Sequence, residues 1–280
     1  MAYNSEISRD HPTCFLFIID QSGSMDEKTE GSGRSKAQFV SDVLNKTIYT
    51  LVTNCSKADG VRNYFDVGII AYGGAGVGSG FGGAISGNIL HGISKLSDHP
   101  LRVEDRVRKM DDGAGGIIDQ KTKFPVWLDP VSSGGTPMRA ALLKSLEVMA
   151  DWCDNHKNSY PPTVLHVTDG QSTDGDPEEL GDGLRQISTN DGQCLLFNLH
   201  VTAGGGQEIV FPTSETSLSD DYSRMLFRMS SPLPSHLAKF AIDKGYSISD
   251  GSRGFIFNGD PKCIVDFFEI GTRPRLVADR

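Results

Sequence analysis

The chain has 280 residues, with 27 lysines and arginines against 36 aspartates and glutamates, which leaves a formal charge of −9. Apolar residues make up 38% and charged residues 22%, enough apolar side chain for a sizeable core and too much for wholesale disorder. The acidic balance counts against non-specific nucleic-acid binding and against docking on anionic membranes. The longest strongly apolar run, residues 14–19, falls far short of the roughly 20 residues of a membrane-spanning helix. Residues 1–11 are polar and carry Glu6 and Asp10, a composition unlike a secretory signal. The five cysteines are scattered, odd in number and never spaced C-x-x-C. They are expected to be reduced, mostly buried thiols of a cytoplasmic protein rather than zinc ligands.

Residues 13–19 form a continuous apolar run closed by Asp20, the pattern of a strand buried on both faces. A polar loop with glycines follows, and then residues 36–55 repeat apolar positions at three- and four-residue steps, an amphipathic helix. Residues 64–72 read as a second strand. Strand, helix and strand in that order predict parallel pairing through a crossover. Residues 73–92 are very rich in glycine, and residues 93–130 mix charges with short apolar pieces. This insertion is expected to contain a mobile loop and then a hairpin or short helix, because so long a structureless loop is unusual in a compact domain.

The alternation then resumes. Residues 137–152 read as a helix, with Pro137 at its first position and Thr136 able to cap it. Strands are expected at 163–168, 194–202 and 252–257, with a short extra one at 208–213. Helices are expected at 176–189, 222–229, 234–244 and 261–270. No internal repeat and no linker divides the chain. The pattern predicts one α/β domain over 1–280, a doubly wound and mostly parallel sheet with helices on both faces, carrying an insertion at about 73–130.

In such a sheet a ligand binds beyond the carboxyl ends of the strands. Three oxygen-rich loops are expected there: Asp20-Gln21-Ser22-Gly23-Ser24, Ser132-Ser133-Gly134-Gly135-Thr136-Pro137 and Thr168-Asp169-Gly170. Each alone is explained by turn or capping chemistry. Together they offer two carboxylates and three hydroxyls, with no sulfur and no imidazole. That donor set suits a hard divalent cation, Mg²⁺ or, with looser geometry, Mn²⁺ or Ca²⁺.

Asp20-x-Ser22-x-Ser24, a distant Thr136 and then Thr168-Asp169-Gly170 resemble the metal-ion-dependent adhesion site of the von Willebrand factor type A family, with all five motif positions matched in order. The resemblance implies that Ser22, Ser24 and Thr136 hold the ion through their hydroxyls. Asp20 and Asp169 would act directly or through water, and a partner protein would supply a glutamate or aspartate to the last position. The Gly-Gly-Thr-Pro form of the threonine loop resembles the bacterial intracellular members. Some of these are of the tellurite-resistance type and work with a kinase and a phosphatase, and others work with AAA-type ATPases. The insertion departs from the family pattern, and its reading is divided between a partner-recognition loop and a decorated hairpin.

Rival motifs are weaker. Gly78-Ser79-Gly80-Phe81-Gly82-Gly83 matches G-x-G-x-x-G but opens no convincing helix. There is no P-loop and no G-x-S-x-G elbow. Asp174 and Asp176 read as caps of the helix that follows them, with modulation of the ion by Asp174 as the lesser possibility. His166 and His200 read as strand residues satisfied by polar neighbours. The expectation is therefore a non-catalytic metal-dependent protein-binding module. The alternatives are a metal-assisted phosphohydrolase, for which no general base is evident, and a scaffold without metal dependence.

Overall fold

The computed structural model describes residues 3–29, 33–111, 117–204 and 206–273, without the side chains of 108–111 and 117–118. The main sheet comprises β1 (Thr13–Gln21), β2 (Phe65–Gly73), β3 (Gly76–Ser79), β4 (Leu90–Gly92), β7 (Thr163–Thr168), β8 (Leu195–Val201), β9 (Ile209–Val210) and β10 (Phe255–Gly259). A separate ribbon is formed by β5 (Arg102–Asp111) and β6 (Ile117–Val126). The helices are α1 (Lys36–Cys55), α2 (Ile93–Asp98), α3 (Met138–Asn155), α4 (Glu178–Gln186), α5 (Asp221–Met229), α6 (Ser235–Asp243) and α7 (Pro261–Gly271).

The sheet order is β9-β10-β8-β7-β1-β2-β3, with β4 also pairing with β2. The five strands from β10 to β2 are mutually parallel, and β3, β4 and β9 pair antiparallel at the margins. This is the expected doubly wound α/β class. The chain leaves β1 toward β2 and later returns to the other side of β1 to lay down β7 and β8. The order reverses between β1 and β7, so these two strands flank the switch point where an open α/β sheet leaves a crevice.

Strand β1 shows why both faces are covered. Phe15, Phe17 and Ile19 pack with Val40, Leu44 and Ile48 of α1 and Phe267 and Phe268 of α7. Leu16 and Ile18 alternate to the other face, with Met138, Leu142 and Met149 of α3 and Leu226 of α5. A strand buried this way reads as a continuous apolar run, as residues 14–19 do. Helix α1 opens on a capping box in which the Ser35 hydroxyl accepts from the Gln38 N–H and the Gln38 side chain accepts from the Ser35 N–H. Trp152, near the end of α3, donates its indole N–H to Asp66 at the start of β2 at 2.9 Å.

The insertion is ordered through its described residues. The glycine-rich stretch holds β3, a 3₁₀ turn at Gly83–Ile85, and β4. Both a short helix, α2, and a hairpin, β5–β6, follow. The hairpin adds no strand to the main sheet and lies on α1. Residues after it re-enter the core: Asn45 of α1 takes the backbone N–H groups of Trp127 and Leu128 on its side-chain oxygen at 2.8 and 3.1 Å. Several boundaries differ from expectation, as for α3, which runs on to Asn155 rather than 152, and for the short strand β9, which covers only Ile209–Val210. Helix α4 stops at Gln186 rather than 189, because Ser188 and Thr189 pair with Gly192 and Gln193. The last strand runs to Gly259, beyond 257, where Asp260 caps α7 through the Cys263 N–H.

Candidate metal centre

Asp20 stands at the end of β1 and is 1% exposed. Its Oδ1 accepts the Ser22 N–H at 2.8 Å, which turns the chain sharply out of the strand. A 3₁₀ turn, Gly23–Asp26, follows and is pinned by the fully buried Met25. The Ser22 and Ser24 hydroxyls lie 3.1 Å apart, and Ser24 donates to Asp169 Oδ1 at 2.7 Å. Asp169 is the first residue after β7, the neighbour of β1 across the switch point.

The threonine loop is held by backbone contacts. Gly23 N–H donates to the Gly134 carbonyl at 3.0 Å, Ser133 N–H to the Gln21 carbonyl at 2.8 Å, and Gly74 N–H to the Ser133 carbonyl at 2.6 Å. This closeness requires glycine. Gly134 has a φ of +69°, and a Cβ there would collide with the Gly74 Cα. The loop delivers Thr136 with its hydroxyl toward the same small space as Ser24. A Cβ at Gly170 would lie 3.8 Å from both Ser24 Oγ and Thr136 Oγ1.

The expected capping role of Thr136 is corrected by the structure. Helix α3 is capped instead by Asp174, whose carboxylate accepts the Arg139 and Ala140 N–H groups at 2.9 Å each. Asp174 thus serves α3 rather than the helix that follows it, and only Asp176 serves α4, through the Glu178 N–H at 2.9 Å. The Thr136 N–H in turn donates to Thr173 Oγ1 at 3.0 Å. The hydroxyl of Thr136 is therefore not needed by the helix it precedes.

Beneath Asp20 lies a buried polar chain. Thr168 donates to Asp20 Oδ2 at 2.8 Å. The Tyr72 hydroxyl lies 3.4 Å from the same oxygen and 2.8 Å from His166 Nε2. His166 Nδ1 is 2.9 Å from Asn198 Oδ1, while the Asn198 amide donates to Ser230 Oγ and the Leu226 carbonyl. Donor counting then puts the His166 proton on Nδ1 and makes Nε2 the acceptor of the Tyr72 O–H. Burial lowers His166 to about 4, so it is neutral. Burial also raises the Asp20 carboxyl above its ordinary range, opposed by hydrogen bonds from Ser22 and Thr168 and reinforced by Asp169. A carboxylate whose charge is penalised by burial and by a neighbouring carboxylate is an electrostatic setting that a cation relieves.

All five expected ligands thus gather at one edge. The buried carboxylate, the second carboxylate and the converging hydroxyls fit a hard divalent ion of the Mg²⁺ class. Sequence reasoning did not single out Lys36, whose ammonium lies 2.6 Å from Asp169 Oδ2, nor Tyr72. A lysine in the first turn of a helix, against the dipole, is the signal that points to Lys36. His200 lies within β8 as expected, but close to its end. It pairs in register with Thr168 near the end of β8, its ring stacked on Phe257 at 4.5 Å and its Nδ1 3.4 Å from the Asn258 N–H. A second group, Glu208, Asp260 and Cys263, is accounted for by the capping of α7 and by the Asp260 N–H donating to Glu208 at 3.1 Å. The five cysteines are all buried and free, and burial pushes Cys55, Cys153 and Cys263 up to about 12, unreactive as thiolates.

No family model and no curated protein matches the sequence. Among solved structures, the chain is similar to VWA2, an ArnB paralog from Sulfolobus acidocaldarius, at 12% identity and a TM-score of 0.34, covering 68% of this chain and 35% of that one. It is also similar to the pilus adhesin SpaC from Lactobacillus rhamnosus GG, at 14% identity and a TM-score of 0.43, covering 81% of this chain and 28% of that one. The chain spans about a third of the length of each of those chains. Among the described residues, no helix is long and apolar enough to cross a membrane.

Proposed function

We propose that this chain is a non-catalytic binding module of the von Willebrand factor type A kind. In this reading an ion of the Mg²⁺ class is held by Asp20, Ser22, Ser24, Thr136 and Asp169, and a protein partner completes the site with a glutamate or aspartate. The observation that carries the reading is the convergence of these five side chains at the switch point, with Thr136 relieved of capping duty by Asp174. The ion would supply electrophilic attraction for the partner's carboxylate, a strong and directional contact, and the surrounding loops would supply selectivity. The resemblance of the threonine loop to that of bacterial intracellular members supports, in this reading, a kinase, a phosphatase or an AAA-type ATPase as the partner and the cytoplasm as the setting.

The test is affinity capture from native lysate, with wild type and Asp20→Ala as baits, in Mg²⁺ or in EDTA. A partner retained only by wild type in Mg²⁺ is the expected result. Equal capture in all four conditions would move the interface away from this edge.

A further inference from the structure

Lys36 is the first residue of α1, the end of a helix where the backbone dipole disfavours a cation. Its side chain is nevertheless 4% exposed, and its ammonium lies 2.6 Å from Asp169 Oδ2 and 2.8 Å from Glu27 Oε2. The two acceptors are unequal. The Asp169 side chain is fully buried, whereas that of Glu27 is 62% exposed and screened by water. The buried ammonium is therefore balanced mainly by Asp169, whose other oxygen accepts from Ser24.

This changes the charge of the metal edge. Asp20 and Asp169 alone would neutralise a divalent ion. With Lys36 included the buried groups sum to −1, and a divalent ion leaves the edge at +1. A cation entering such a site meets a neighbouring positive charge, and that charge is offset only when an anion follows. We propose that Lys36 makes the divalent cation and the incoming carboxylate bind as a coupled pair, each weak without the other. This rests on the metal-binding reading above. Coupling of this kind is reciprocal: a carboxylate that tightens the metal is tightened by it equally. The module would then hold its ion firmly only when the partner is present.

Mn²⁺ serves as a spectroscopic probe, titrated into wild type, Lys36→Met, Lys36→Arg, Glu27→Gln and Asp20→Ala, with and without acetate at fixed free Mn²⁺. Wild type is expected to bind Mn²⁺ at least fivefold more tightly with acetate. Lys36→Met should bind Mn²⁺ alone at least tenfold more tightly than wild type and lose the acetate enhancement. Lys36→Arg, which keeps the charge, should keep the enhancement. Glu27→Gln alters an exposed side chain and leaves Lys36 facing Asp169 alone. It should weaken Mn²⁺ two- to threefold and enlarge the acetate effect, a prediction that stands even if Lys36→Met does not fold. Equal Mn²⁺ affinity in wild type and a folded Lys36→Met, or an acetate enhancement of the same size in both, overturns the coupling. Binding by Lys36→Met alone, whatever the acetate, makes Lys36 the resident cation and also overturns it. No Mn²⁺ binding above that of Asp20→Ala in any variant removes the metal reading itself, a result distinct from the other two.

Discussion

Thr136 is not the cap that its position before Pro137 suggests, and Asp174 caps α3 rather than the helix that follows it, a division of roles that is testable. Thr136→Val keeps the shape and the backbone contacts while removing the hydroxyl. Mg²⁺ affinity by calorimetry should fall at least tenfold, with the denaturation midpoint little changed, because the α3 cap stays with Asp174. Asp174→Ala should do the reverse: a loss of ~1 kcal/mol in urea denaturation, typical of a lost helix cap, with the ion ligands intact. The reason the sequence misleads here is that a threonine before a proline carries every local mark of a cap. The competing carboxylate, Asp174, arrives from a loop 35 residues beyond Arg139, whose N–H it accepts. His166 offers a pH test. Its ordinary value of 6.5 is lowered to about 4 by burial, so between those values the unfolded chain takes up a proton that the folded chain refuses. Stability is therefore complete above pH 6.5 and falls as the pH drops toward 4, by about 3 kcal/mol for this group. Urea midpoints across that window should decline less steeply in His166→Gln than in wild type.

At the scale of elements, the hairpin β5–β6 is attached by charge more than by apolar contact. A chain of alternating ions runs from Arg34 to Asp42 (2.7 Å), Arg106 (2.9 Å), Glu104 (2.9 Å), Arg102 (2.8 Å) and Asp129 (2.5 Å). The Arg106 guanidinium also lies 3.7 Å from the centre of the Phe124 ring, which meets Tyr49 of α1 edge-on. Exposed pairs are each worth ~0–1 kcal/mol, and 1 M salt shortens their reach to about 3 Å. Amide exchange in β5 and β6 should therefore quicken in 1 M NaCl while β1 and β7 stay protected. Arg106→Ala should quicken it further, since it removes two pairs and the ring contact together. These strands were only half legible in the sequence. Charged residues mix with scattered apolar ones along them, but nothing local says that one face will pair with α1 rather than with water. The glycine-rich stretch misled in the opposite direction. Its glycines read as freedom, yet Gly80 and Gly82 leave room for Ile69 and Leu101 to pack against the backbone. The parallel strands and long helices were legible because each carries its own periodicity, apolar runs for the former and three-to-four spacing for the latter.

For the whole molecule, the candidate site forms only because β1 and β7 are parallel neighbours with the strand order reversing between them. Asp20 and Asp169 are joined by the sheet, and Thr136 joins them through the contact of its loop with Gly23 and Gly74. An ion that binds only the folded arrangement stabilises all of it by mass action, about 2.7 kcal/mol at a hundredfold excess over its dissociation constant. Mg²⁺ should thus raise the thermal midpoint of wild type and leave that of Asp20→Ala where it was, with EDTA reversing the shift. The five candidate oxygen donors were legible as a spaced pattern. Lys36, Tyr72 and the His166–Asn198 pair were not, because their relation to Asp20 and Asp169 is set by strand register and a helix start, and nothing in their own neighbourhoods marks it.

Helix α3 is fastened at both ends, to Asp174 beside the metal edge and through Trp152 to Asp66 at the opposite end of the sheet. Anchors at both ends resist a slide or a tilt of the helix. A force applied by a ligand at the edge therefore finds an abutment on that side of the sheet. Movement that a ligand produced there would meet less resistance on the opposite side, where α1 begins with Lys36, whose ammonium already contacts Asp169.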